Sequence, residues 1–579
     1  MRIKTLAAVV AVAVSTGLVS ASGGTASDAA FEKLAHECID TCLRAQPEMA
    51  TSLGDHRFDD RLSDYSAPAR AAELAAIARE LHALAAIDPA RLTGANRTDA
   101  QILANQLALR QFTLAEERPY AWDPLSYNDS LGNGIYFLTA REFAPAEVRL
   151  RNAKQRLEAV PTVIEQIKAN LHNPPRIQTE TAIKQTVGTI DLVEHGLEPL
   201  LAEAPQLRGE LAPAQQRAIS ALAAYKTWLE HDVLPTATGN FRLGPDRFRK
   251  KLRLTLDSDL SPEDILTAAE RELTHATEQL YATALTIYRR DFPAASTAEL
   301  ANRSKIIRAV FDRLAQNHSD DATIVDRARQ ITAEATAFVR RHDLVTLPSA
   351  PLEVIELPEF QRGVAVAYCD PPGALEPGGK TFFSVSSTPT DWSAERKASF
   401  YREYNDYMLR DLTVHEAMPG HYVQLAHANQ FKAPTLVRAV WWSGSFVEGW
   451  AVYAEQTMAE AGYGGPEVRM QQLKMRIRAI INAILDQKIH MGDMTEPQAL
   501  DLMMNRGFQE EGEALGKWRR ACQSSTQLST YFVGALEHDA MRAAAERKWG
   551  AAFNLKKYHD AVLSRGSPPV KYVRQELGL

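Results

Sequence analysis

The sequence predicts a mainly α-helical protein with one small β element, and three observations carry that expectation. Apolar residues recur at the helical period through most of the chain. Helix-start chemistry precedes the clearest of these stripes, at Ser261-Pro262-Glu263-Asp264, where a serine can cap, proline suits the first helical position and the acids suit the helix dipole. The period-two alternation of strands is confined to one stretch, 352–387. With 579 residues the chain can build two or more helical lobes with separate cores, so a large bilobed fold around a deep cleft is expected.

Taken in order, the chain opens with Arg2 and Lys4, an apolar run from Leu6 to Val14 and the small–x–small pattern Val19-Ser20-Ala21. This reads as a signal peptide over 1–21, cut somewhere in 21–27, and so as a periplasmic or secreted protein. The run is too short to span a bilayer comfortably, and no cysteine follows it to suggest a lipid anchor. No later segment has 18 consecutive apolar residues, so no stable membrane insertion of the mature protein is expected.

A helical N-terminal region follows over 28–345. Stripes run through roughly 67–115, 145–171, 178–203, 211–231 and 301–341, and Ile265, Ala269, Leu273, Ala276, Leu280 and Ile287 form a core-facing line after the Ser261 cap. Gly239 to Gly244 reads as a glycine-bounded loop between helices. A second region, 346–579, begins with two or three short strands: Val364, Val366 and Tyr368 alternate with Ala365 and Ala367, and Thr381 to Val385 follow a Pro/Gly-rich turn.

Composition excludes some partners. Net charge is −7 and no basic block tracks a phosphate backbone, which argues against nucleic acid. The four cysteines, Cys38, Cys42, Cys369 and Cys522, are too few and badly placed for a disulfide scaffold and read as packed thiols. The oligomeric state is left open.

The chemistry concentrates at His415-Glu416-Ala417-Met418-Pro419-Gly420-His421, at the end of a helical pattern through Phe400, Tyr404, Tyr407, Met408, Asp411 and Leu412. A His-Glu pair with a second histidine nearby suits zinc: neutral imidazoles bind the ion, and the adjacent carboxylate takes a proton from water. The spacing departs from H-E-x-x-H, because six residues on a regular helix put His415 and His421 on different faces. Pro419 and Gly420 could distort the helix and bring the rings together; the alternative is a helix end with two unrelated histidines. Glu448, in the apolar helix Ser445–Glu455, is a third ligand candidate, since a carboxylate there is costly unless paired or metal-bound. Glu455, on the same face, is the alternative ligand to Glu448, and reads rather as a group that orients a histidine.

These segments, His415 to Gln424 and Glu448-Gly449-Trp450-Ala451, together with Gly239 to Gly244, Tyr368 to Pro372, Arg478 to His490 and Gln527 to Gly534, resemble a bacterial family known as domain of unknown function 885. The resemblance covers nearly the whole mature chain. It implies a zinc metallopeptidase-like protein related in architecture to neurolysin and angiotensin-converting enzyme. It also implies one zinc ion held by His415, His421 and Glu448, Glu416 as general base, and a peptide substrate. The chain departs from the family pattern in lacking a Pro-Gly before Gln527 and in carrying Cys369.

An oxyanion donor is also required. Tyr531 is the first candidate and His490 the second, each with a hydrogen-bonded core role as the alternative. Arg476 or Arg478 could pair a substrate carboxylate or simply form a salt bridge. The strands could offer an edge to an extended peptide. The expected activity is hydrolysis of short peptides. The competing readings are a zinc hydrolase of another amide or ester, and an exported binding protein without catalysis.

Overall fold

A computed structural model describes residues 25–293, 302–357, 362, 366–376 and 378–579. The signal-peptide segment and Val364-Ala365 lie outside the described residues. Helix accounts for 72% of the protein and strand for 3%, which makes the fold mainly α with one small sheet.

The helix Pro262–Asp291 starts as its sequence predicts. Ser261 accepts from the Asp264 amide and Asp264 returns the bond to the Ser261 backbone, closing a capping box. Ile265, Ala269, Leu273, Ala276, Leu280 and Ile287 are all buried. They pack in one core with Ile477, Ile480 and Ile484 of the long helix Gly465–His490, so packing runs across the 345/346 boundary. A second tie crosses the chain at Arg438, whose guanidinium bonds Asp99 at 2.6 Å and Glu576 at 2.6 Å in a buried network.

Three predicted stripes are pairs of helices. The stripe at 67–115 is Ala67–Ala85 and Gly94–Phe112, parted where Asp88 caps the short turn Pro89–Arg91. The stripe at 178–203 breaks after His195, and Glu198–Glu203 follows. The stripe at 301–341 is Arg303–Leu314 and Ile324–Arg341, separated by a turn in which Asp320 and Thr323 bond each other. A periodic pattern reports a shared buried face, and two successive helices on one core present the same pattern.

The sheet has three strands, β1 (Leu352–Glu356), β2 (Ala367–Asp370) and β3 (Thr381–Val385), in the order β1-β3-β2. β3 lies in the middle, parallel to β1 and antiparallel to β2, and its Phe383 and Val385 are fully buried. β2 is therefore an edge strand, and it is the one beside the His415 motif. Among the described residues no helix is long and apolar enough to cross a membrane.

Candidate metal centre

The motif helix spans Asp406–Glu416 and is capped by Asn405, whose side chain accepts from the Tyr407 and Met408 amides. It does not continue through a bulge. It ends at Glu416, and a separate helix, His421–Ala428, begins after four intervening residues. The Ala417 and Met418 amides both return to the Thr413 carbonyl, and the Gly420 amide reaches the Val414 carbonyl at 2.9 Å. This last bond folds the loop back onto the motif helix. Gly420 is required there, because a Cβ would collide with the carbonyl oxygens of His415 and Val414. The Trp450 indole donates to the Pro419 carbonyl at 3.0 Å and pins the loop from the other side.

The break solves the spacing problem. His421 opens its own helix, and its ring stands 4.7 Å from that of His415 at 86°. Both rings aim Nε2 at one oxygen: His415 Nε2 is 3.6 Å and His421 Nε2 3.5 Å from Glu448 Oε2. One ligand atom from each of the three residues lies within 4.8 Å of the others.

Glu448 is carried by the helix Gly444–Glu460, whose first turn is capped by Ser443. The next residue, Gly449, lies against Gly534 of the helix Ser529–Trp549 so closely that a Cβ on either would overlap the other backbone. This contact fixes the Glu448-bearing helix by main chain. A glycine inside a helical pattern was its only sequence signal.

A second carboxylate supports the first histidine. His415 Nδ1 is 2.6 Å from Glu455 Oε1, and Glu455 is fully buried, the orienting role its position predicts. Asp411, one turn before His415, is buried beside it, and its charge acts on Glu455. Asp411 was read from sequence only as part of a helical stripe; an acid in that apolar run was the available signal.

Electrostatics follow from this packing. Burial pushes the Glu448 carboxyl up, but the two imidazoles that face it, His415 and His421, outweigh burial and hold Glu448 well below the usual range. Burial opposes protonation of His415, yet Glu448 and Glu455 together raise it well above an ordinary imidazole. Glu416 is buried and raised by desolvation against the pull of both histidines. Its Oε2 accepts from the Cys369 backbone amide at 3.0 Å, which sets the edge of β2 beside the motif.

The donor set fits zinc. Ligands about 2.0–2.1 Å from a tetrahedral ion stand about 3.3 Å apart, and the 3.5 and 3.6 Å separations lie nearer that spacing than the 2.7–3.0 Å of a direct charged hydrogen bond. Two imidazoles, one carboxylate and a histidine braced by a second carboxylate make a donor set that zinc accepts.

A family described as bacterial protein of unknown function (DUF885) matches residues 47–577. The chain belongs to the DUF885 family. It is similar over 95% of its length to the whole of a solved chain from Shewanella oneidensis, provisionally described as a lipoprotein of unknown function, at 30% identity and a TM-score of 0.76. It shares its fold with a provisionally described lipoprotein from Colwellia psychrerythraea, at 18% identity and a TM-score of 0.77, covering 95% of this chain and 98% of that one. No curated protein matches. These likenesses fit an exported bacterial protein.

The other predicted site residues divide in this DUF885 chain. The Tyr531 hydroxyl lies 3.2 Å from both Arg520 and Gln527, on the helix whose Gly534 touches Gly449 next to Glu448; burial, and then the Glu448 charge, raise its pKa. His490 is not at the cluster. Its Nε2 sits 3.0 and 2.8 Å from the Ala521 and Ser524 carbonyls, its ring stacks on Phe248, and its own carbonyl accepts from Gly244, so the glycine loop docks on it. That is the core role offered as its alternative, and it removes His490 as an oxyanion donor. Arg476 is paired to Asp539 at 2.9 Å and Arg478 to Glu513, so neither is free for a substrate. Trp450 is core, whereas Trp442 is half exposed.

Proposed function

We propose that this protein is an exported, zinc-dependent peptidase, periplasmic or secreted, acting on short peptides between its helical lobes. The observation that carries the reading is the convergence of His415, His421 and Glu448 on one point with the Glu416 carboxylate on the adjoining residue. His415, His421 and Glu448 would hold the ion. A bound zinc supplies the Lewis acidity that acidifies water and polarises a carbonyl. Glu416 takes the proton of the attacking water and passes it to the leaving amine. Glu455 fixes His415 with Nε2 towards the ion. Tyr531 donates a hydrogen bond from its hydroxyl to the developing oxyanion. A peptide, rather than another amide or ester, is favoured by edge strand β2 beside Glu416, where an extended chain can pair.

The test is metal content and peptide hydrolysis of wild type, Glu416→Gln and His421→Ala. The expected result is about one zinc per chain in wild type and Glu416→Gln, much less in His421→Ala, and hydrolysis by wild type alone. Stoichiometric zinc in His421→Ala overturns the ligand assignment; zinc without hydrolysis of any peptide overturns the activity.

A further inference from the structure

Beyond the metal ligands, one buried cation stands without a partner. Lys517 lies on the helix Glu511–Gln523, is only 7% exposed and has no acidic partner among the described residues. Helical spacing sets Glu513, Lys517 and Arg520 on one face. Glu513, the acid one turn away that would ordinarily pair Lys517, is engaged by Arg478 and by the Tyr404 hydroxyl at 3.2 Å. Arg520 bonds the Tyr531 hydroxyl at 3.2 Å and Gln527 at 3.0 Å. Arg520 thus ties this face to Tyr531, which lies on the helix Ser529–Trp549 three residues before Gly534, and Gly534 touches Gly449, the residue beside Glu448.

The Lys517 stem is buried while its ammonium keeps a little solvent contact; a largely desolvated charge without a counter-ion is costly, and the cost falls when an anion arrives. Burial, and then Arg478 and Arg520, push the Lys517 ammonium well below its usual range. Glu448 cannot neutralise it, because its carboxylate faces His415 and His421.

We propose that Lys517, assisted by Arg520, binds a carboxylate of the substrate next to the reacting centre. This rests on the peptidase reading and narrows it: the substrates are peptides with a carboxylate close to the scissile bond, supplied by a free C-terminus or by an acidic side chain. Arg476 and Arg478, the arginines that the sequence suggested for this task, are held by Asp539 and Glu513, and Lys517 is the cation left over.

The test uses full-length, zinc-loaded Glu416→Gln protein, which binds without turnover, and calorimetric titration with three probes: tetra-alanine, tetra-alanine amide, and the amide of Ala-Ala-Ala-Asp. Expected is binding of at least one carboxylate probe about tenfold or more tighter than tetra-alanine amide, with that preference lost in Glu416→Gln/Lys517→Met and retained in Glu416→Gln/Lys517→Arg. The preferred probe identifies the source of the carboxylate. Equal affinity for all three probes, binding of none, or a preference that survives Lys517→Met overturns the proposal. Lys517→Met is also expected to raise the melting temperature, since it removes an unpaired buried charge; a lower melting temperature assigns Lys517 a structural role and overturns it too. Cleavage of tetra-alanine amide by wild type without carboxylate preference leaves the peptidase standing and removes the subsite. Carboxylate binding without hydrolysis of any peptide does the reverse.

Discussion

His415 Nδ1 and Glu455 Oε1 stand 2.6 Å apart in a fully buried contact. The carboxylate accepts only, so Nδ1 carries the hydrogen and Nε2 is left as the lone-pair donor turned to Glu448. Glu455 thereby selects the tautomer that can bind an ion. Glu455→Gln is expected to weaken zinc affinity about 10–100-fold while far-ultraviolet circular dichroism stays as in wild type. Competition with a chelating dye measures it, and unchanged affinity removes Glu455 from the centre.

Gly420 is the residue at which the motif helix stops. Gly420→Ala places a methyl group against the His415 and Val414 carbonyls, which hold the return bond. The expected cost is on the order of 3 kcal/mol or more, with loss of stoichiometric zinc even where the variant folds. Denaturant unfolding and metal analysis check the two parts separately.

Tyr531 and His490 are separable. If Tyr531 stabilises the oxyanion, Tyr531→Phe lowers kcat about a hundredfold with KM little changed. His490→Leu leaves kcat within a few-fold but lowers stability by about 1–3 kcal/mol, because the Ala521 and Ser524 carbonyls lose their donor. A large kcat effect at His490 with normal stability reverses the assignment.

Burial pushes the Glu537 carboxyl up to about 7 against help from Ser258. The folded state therefore holds this proton more tightly than the unfolded chain does. The associated stability is complete below about pH 4.5 and is lost as pH rises through about 7. Glu537→Gln removes that loss. It is expected to match wild type near pH 4.5 and to exceed it by up to about 3 kcal/mol at pH 8, by urea unfolding at both values. A pH-independent difference contradicts the raised pKa.

The helix starts and the convergence of His415, His421 and Glu448 were legible because they depend on local chemistry. Ser261 and Asp264 form a cap within four residues, and Glu448 and Glu455 announce themselves as carboxylates in an apolar stretch. What the sequence hid depends on distant partners. The closeness of Gly449 and Gly534 needs two helices to meet, and the pairing of Arg476 with Asp539 needs a third. The break before His421 was foreseen as a distortion, yet its form, two helices joined by a loop that folds back on Val414, follows from a hydrogen bond that periodicity does not encode. Lys517 reads in sequence as an ordinary surface lysine beside Trp518 and Arg519, and only the packing of its helix buries it.

The touching backbones of Gly449 and Gly534 decouple two properties that usually vary together. In most helix pairs the separation is set by side-chain bulk, so altering the lining of a binding surface also shifts the helices that carry it. Here the separation is a hard stop of main chain on main chain. Residues around Glu448 can be exchanged while its carboxylate keeps its place, which makes this crossing a natural fixed datum for redesigning selectivity.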